Sequence, residues 1–223
     1  MRPGTSPYLS LVKTYYLNFC QRPWRHNWLE PDLQWPYLFC NHWTHLLSTL
    51  APINRVRHLF SKDVLCIILN SLVSSQLFYR STVWSGTSEK NLHKVQLMQN
   101  LTGRILTNTK TFDDITPVLQ GLGWLTIEGL LCLRDVTMIF KCLNGLVPSY
   151  FSTKFVWRSE THSYCTRENN QLNLSQCRTS AAQCTFRFRA SKYWNSLPND
   201  IRNSASIEVF KRIARLEIIR RRK

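Results

Sequence analysis

Apolar residues recur every three to four positions in four stretches of this chain, and each stretch opens on a residue able to cap a helix. The first predicts a helix over about 62–79, with Ser61 as N-cap and Asp63 in the first turn. Its Val64, Ile67, Ile68, Leu72 and Val73 fall on one broad face. A polar linker, 81–88, ends on Thr87 and Ser88, either of which can cap a second helix over about 89–106. There Leu92, Val95, Met98, Leu101 and Ile105 form the apolar side, and Lys90, Lys94 and Arg104 the opposite one. Residues 115–122 predict a short helix with Pro117 in its first turn. Thr126 caps a third long helix, about 127–143, which Asn144-Gly145 stops because both residues tolerate a left-handed C-cap. Ser206 caps the last helix, whose apolar line is Ile207, Phe210, Ala214 and Ile218, with Lys211, Arg212 and Arg215 beside it.

The pattern fails at both ends of this helical run. Residues 1–50 carry Trp24, Trp28, Trp35 and Trp43 and five prolines, and neither a helical nor a strand period persists. A poorly ordered segment is predicted there. Between 157 and 180 the chain is polar and loop-like. Cys184-Thr-Phe-Arg-Phe-Arg189 alternates apolar and polar, which predicts one short strand presenting Arg187 and Arg189 on its open face. The fold class expected is mainly α: a helical bundle over 51–150, then a basic, loop-rich module over 151–223 with a short β element and a C-terminal helix.

Charge changes this picture. The 223 residues hold 29 Lys and Arg against 13 Asp and Glu, a formal +16. Residues 154–223 alone carry 15 basic and 5 acidic side chains, a net +10. Such an excess favours a polyanionic partner. The closing Arg220-Arg221-Arg222-Lys223 reads either as a solvated, frayed tail or as a phosphate contact. The longest purely apolar run, Val64 to Leu69, is far short of the roughly 20 residues of a membrane span. Lys13 interrupts the only apolar stretch near the N-terminus, so no signal peptide is expected. Eight cysteines without a Cys-x-x-Cys pair point to reduced thiols and an intracellular setting.

Candidate chemistry is sparse. Asp113-Asp114 follows Phe112 and has the look of a magnesium-binding pair, yet a polar loop entering a helix flanks it. Asp114 is better placed as a helix cap. Cys20, Cys40, His42 and His45 are potential zinc ligands, but Cys40-x-His42 is too tight for the usual paired spacing. No nucleophile elbow, phosphate loop or dinucleotide fingerprint occurs. Neither a metal nor any other cofactor, nor a catalytic residue, is expected.

A series of short motifs then becomes specific. Leu69-Asn-Ser-Leu-Val73, Val83-Trp84-Ser85-Gly86, Leu97-Met-Gln99-Asn100, Ile115-Thr-Pro117, Leu122-Gly-Trp124-Leu125, Phe140-Lys-Cys-Leu-Asn144-Gly145 and Lys192-Tyr-Trp194-Asn195-Ser196-Leu197-Pro198 stand in order. Together they resemble the C-terminal, post-palm part of reverse transcriptases of non-LTR (LINE-type, jockey-like) retrotransposons. The resemblance covers about 53–216 and implies a helical thumb and the segment beyond it, which grip RNA template and DNA primer. The palm motif with its paired aspartates is absent, and Asp113-Asp114 lies too far downstream to replace it. The expectation is therefore a truncated fragment, catalytically inactive by itself, holding RNA or DNA through Lys90, Lys94, Arg104, Arg187, Arg189, Lys211, Arg212 and Arg215. No membrane and no small-molecule substrate are expected. The alternative is a translated transposon relic with no selected activity. Gly103, in a helix interior at a cost of about 1 kcal/mol, is a departure that fits drift.

Overall fold

The computed structural model describes residues 46–79, 81–161 and 170–221, and these are mainly helical. Helix α1 spans 46–56 and runs into a 3-10 turn, Arg57–Leu59. Helix α2 starts at Lys62–Leu69, passes through a π-helical turn, Asn70–Ser74, and ends as Ser75–Phe78. After a single turn at Ser81–Trp84 come α3 (Glu89–Thr107), α4 (Thr116–Gly121) and α5 (Ile127–Leu143). Single turns at Ser149–Ser152, Arg158–Thr161 and Ser180–Gln183 lead to α6 (Phe186–Ser196), and a turn at Asn199–Arg202 leads to α7 (Ile207–Arg220).

The capping chemistry is local and falls where the residues predict. Ser61, Thr126 and Ser206 accept from the backbone N–H groups of Val64, Gly129 and Val209. Each satisfies one donor that a helix start leaves open. Gly145 takes a positive φ of 67° just past α5, which stops the helix. Among its described residues the polar region 157–180 keeps one β-like contact, an antiparallel bridge between Trp157 and Leu172.

Two hydrophobic cores share one helix. The first gathers Leu46, Leu50, Leu65, Leu69, Val73 and Leu77 from α1 and α2 with Val95, Met98 and Ile105 of α3, and takes in Ile127 and Leu131 of α5. The second starts on the same α5 at Val136, Ile139 and Phe140 and adds Trp194 of α6 with Phe210 and Ala214 of α7. Phe210 stacks on Phe140 at 4.6 Å between ring centroids. Burying each such side chain contributes about 1.5–3 kcal/mol, so α5 is where the two halves are welded. Leu46 and Leu50 are 1% and 2% exposed within α1, and the division between cores falls on α5. The remainder of the 1–50 segment lies outside the described residues.

Two expectations are corrected. Residues 184–189 form no strand: Phe186 opens α6, with Thr185 as its N-cap residue. Six alternating residues are too short a window to define a period. The side chains α6 buries, Ala190, Ser191 and Trp194, follow helical spacing. The apolar face of α2 is also rotated. Leu65, Leu69, Val73 and Leu77 are inside, whereas Val64, Ile67 and Leu72 are exposed. A spacing of four drifts about 40° per step around a regular helix, and the extra residue of a π turn takes that drift back.

Candidate nucleic-acid interface

On α7 the buried side is Phe210, Ala214, Glu217 and Ile218, which turns Lys211, Arg212 and Arg215 outward. At about 100° per residue these three cations occupy an arc of about 100° over little more than one turn. Arg215 is braced by donating to the Gly123 carbonyl, at the turn before α5. On α3 the buried positions Val95, Met98, Thr102 and Leu106 leave Lys90, Lys94 and Arg104 within an arc of about 80°. Lys90 is exposed, and Lys94 and Arg104 are half-buried. Arg187 is exposed at the start of α6. The structure thus brings the α7 triad together and sets the other cations on two further helices.

Arg189 has a different fate. Its Nε donates to Asp135 Oδ2 at 2.8 Å, and the two side chains are 12% and 1% exposed. Its terminal nitrogens donate to the Cys184 and Thr82 carbonyls and to Ser85 Oγ. Four acceptors from three separate chain segments take four of the five N–H donors of this guanidinium, which leaves it little to offer a phosphate. Burial pushes the Asp135 carboxyl above its ordinary value, and the guanidinium beside it opposes that shift. Gly86 belongs to the same junction: a Cβ there would stand 2.2 Å from the Cys184 carbonyl oxygen. Arg104 is likewise drawn inward, donating to the carbonyls of Lys110 and Asp113 and closing the loop between α3 and α4.

The paired aspartates serve that loop. Asp113 Oδ2 accepts from the Lys110 N–H at 3.1 Å, and Asp114 Oδ1 from the Thr116 N–H at 3.0 Å and the Thr116 hydroxyl at 2.9 Å. The Thr116 donors hold the Asp114 carboxyl below the usual carboxylate range. Among the described residues no group of three or more His, Cys, Asp or Glu is arranged to hold a metal ion. Cys20, Cys40, His42 and His45 lie outside the described residues. The five described cysteines are free thiols, and no described helix is long and apolar enough to cross a membrane.

The basic terminus is partly pinned, which residue order alone does not reveal. Glu217 accepts from Arg220 at 2.9 and 3.0 Å and from Arg221 at 2.8 Å. Arg221 also donates to Ser196 Oγ and to the Ser196 carbonyl at the end of α6. The Glu217–Arg221 spacing of four was the available signal.

Several residues that carry the resemblance prove to hold the scaffold. Gln99 donates to the Leu125 carbonyl at 2.8 Å. The Asn195 amide clips both backbone groups of Leu172, accepting from its N–H at 2.8 Å and donating to its carbonyl at 2.9 Å. Comparison with protein-family models, with curated proteins and with solved structures returned no match for the chain.

Proposed function

We propose that this chain is a nucleic-acid-gripping fragment, similar to the post-palm part of a non-LTR retrotransposon reverse transcriptase, that holds RNA or DNA without polymerising it. The observation that carries the reading is the α7 stripe, where Lys211, Arg212 and Arg215 are exposed side by side on a helix anchored in the second core. Lys90 on α3 and Arg187 on α6 add cations. Arg189 and Arg104 contribute to folding instead, one as the buried junction and the other as the loop clamp. No nucleotide transfer is assigned, because Asp113 and Asp114 are committed to hydrogen bonds within their own loop.

Cations of this kind act on phosphates through counterion release. With about four phosphates engaged, log affinity for an RNA–DNA duplex falls with log salt at a slope near about −3.5. Fluorescence anisotropy across a salt series measures it. The double variant Lys211→Glu/Arg212→Glu is expected to weaken binding at least tenfold and to flatten the slope by about 2. Failure to detect wild-type binding at about 50 mM salt, where this term is strong, would sink the proposal.

A further inference from the structure

Beside the C-terminal end of α5, at the edge of the second core, lies a half-open cavity of about 560 Å³. That lies within the roughly 300–1,000 Å³ usual for small-molecule sites. None of the surface cations of α3, α6 and α7 lines it, so the inference goes beyond the grip described above. Its walls include Trp157, Trp194, Asn144, Asn203 and Arg202.

These walls are fixed in advance. Backbone bonds from Arg158 N–H to Gln171 and from Asn173 N–H to Val156, at 2.9 and 2.8 Å, hold the segment bearing Trp157. The Asn195 clip on Leu172 ties that segment to α6, next to Trp194. Arg202 is anchored by donating to the Asn170 carbonyl and to Asn199 Oδ1.

The chemistry left over is that of a donor without an anion. A guanidinium has five N–H donors, and two of the five here have acceptors. Among the described residues the buried Arg202 Nε has no partner, and neither has the indole nitrogen of Trp194, a residue 2% exposed. Among the described residues no carboxylate pairs with Arg202. Burial holds the guanidinium pKa below its ordinary value. Neither group can accept a hydrogen bond, so each is completed by an acceptor, and for the cation an anion is the strongest one.

An anion alone would occupy a small part of this volume. The rest is bordered by the half-buried Trp157 indole and by side-chain amides. The Asn144 NH₂ donates to the Phe140 carbonyl at 2.8 Å, which fixes the amide and leaves its oxygen as an acceptor. The Asn203 side chain makes no hydrogen bond among the described residues and can both donate and accept. An aromatic face stacks any nucleobase, and amides suit base edges. We propose that this cavity binds one nucleotide unit, with its phosphate on Arg202 and its base against Trp157. A free mononucleotide and the terminal nucleotide of a single strand share this chemistry.

The test is calorimetric titration of the full chain with AMP, adenosine, inorganic phosphate, and a short oligo-dT with and without a 5′-phosphate. AMP is expected to bind at least tenfold tighter than adenosine or phosphate. Arg202→Gln should weaken AMP at least tenfold. Asn203→Asp, at an exposed position, should do the same by charge repulsion and without disturbing the core. A strand end as the natural source predicts that the 5′-phosphate raises oligo-dT affinity in wild type and not in Arg202→Gln; a free nucleotide predicts no such gain. The proposal is overturned if millimolar AMP gives no heat, if adenosine binds as well as AMP, or if neither variant weakens AMP. Duplex binding is read with a different ligand, so either proposal can fail alone.

Discussion

Individual residues here do work that their type does not announce. Gly103 reads in the sequence as a helix-interior fault, and the structure gives no reason that it must be glycine. A Cβ there would meet Leu119, Val118 and Ile115 at 3.7–3.8 Å, ordinary contact distances. Gly103→Ala is therefore expected to stabilise the fold by about 1 kcal/mol, raising Tm by roughly 2–4 °C in a thermal melt. A drop in Tm would mean that the α3–α4 contact cannot admit a methyl group. Gly86 is the contrasting case, since the neighbouring carbonyl fills the space a side chain would need. Glu217 carries a pH dependence with a definite sign. Its bonds from Arg220 and Arg221 hold the carboxyl below its ordinary 4.5. Its contribution is thus complete above about pH 4.5 and is lost as pH falls through the lowered folded value. Amide protection near the end of α7, measured relative to intrinsic exchange at each pH, should fall on that descent, and Glu217→Gln should show reduced protection at neutral pH as well. Asp135 has the opposite sign: its raised carboxyl makes its contribution fall as pH rises through the window above 3.8.

Among the elements, α2 shows most clearly how a correct helix can have the wrong face. A regular 3.6-residue period groups Val64 with Ile67 and Ile68, whereas the buried line is Leu65, Leu69, Val73 and Leu77. The π turn at Asn70–Ser74 reconciles a strict spacing of four with a straight contact surface. Ser71 sits in that turn, exposed, its hydroxyl bonded back to Ile67 and Ile68 carbonyls. Deleting Ser71 converts the spacing from four-four-four to four-three-four, the pattern of a regular α-helix. The deletion variant should remain folded, with Tm within a few degrees of wild type. Loss of the cooperative melt would show that the π turn does more than correct phase. The α6 region teaches the complementary lesson. An alternation of six residues predicts a strand only while partners are ignored, and the demands of Ala190 and Trp194 for the second core make it a helix.

The molecule as a whole is held at the junction where the two cores meet on α5. Arg189 on α6 reaches Asp135 on α5 and the chain at Thr82 and Ser85, so one guanidinium joins both halves. Breaking a buried pair from one side strands the remaining charge. Asp135→Asn should cost about 3–5 kcal/mol, measured by urea unfolding. Replacing both partners by apolar residues, Asp135→Leu with Arg189→Met, should recover most of that loss. A double variant as unstable as the single one would show that the backbone bonds of Arg189, not its charge pair, hold the junction.

What residue order determined by itself is local. Helix positions, the N-caps at Ser61, Thr126 and Ser206 and the stop at Asn144-Gly145 all depend on partners within four residues, so short-range pattern is enough to read them. The exposed stripe Lys211, Arg212 and Arg215 was legible for the same reason, because periodicity places it opposite Phe210 and Ala214. Tertiary structure decided everything that turns on distant partners. Arg189 passed from surface cation to buried hub through contacts 54 and 107 residues away in sequence. The rotated face of α2, the sharing of α5 between two cores and the cavity under Arg202 depend likewise on which elements meet. No pattern along one segment encodes that meeting, since it is the free energy of burial and of satisfying buried polar groups, summed over the folded chain, that selects it.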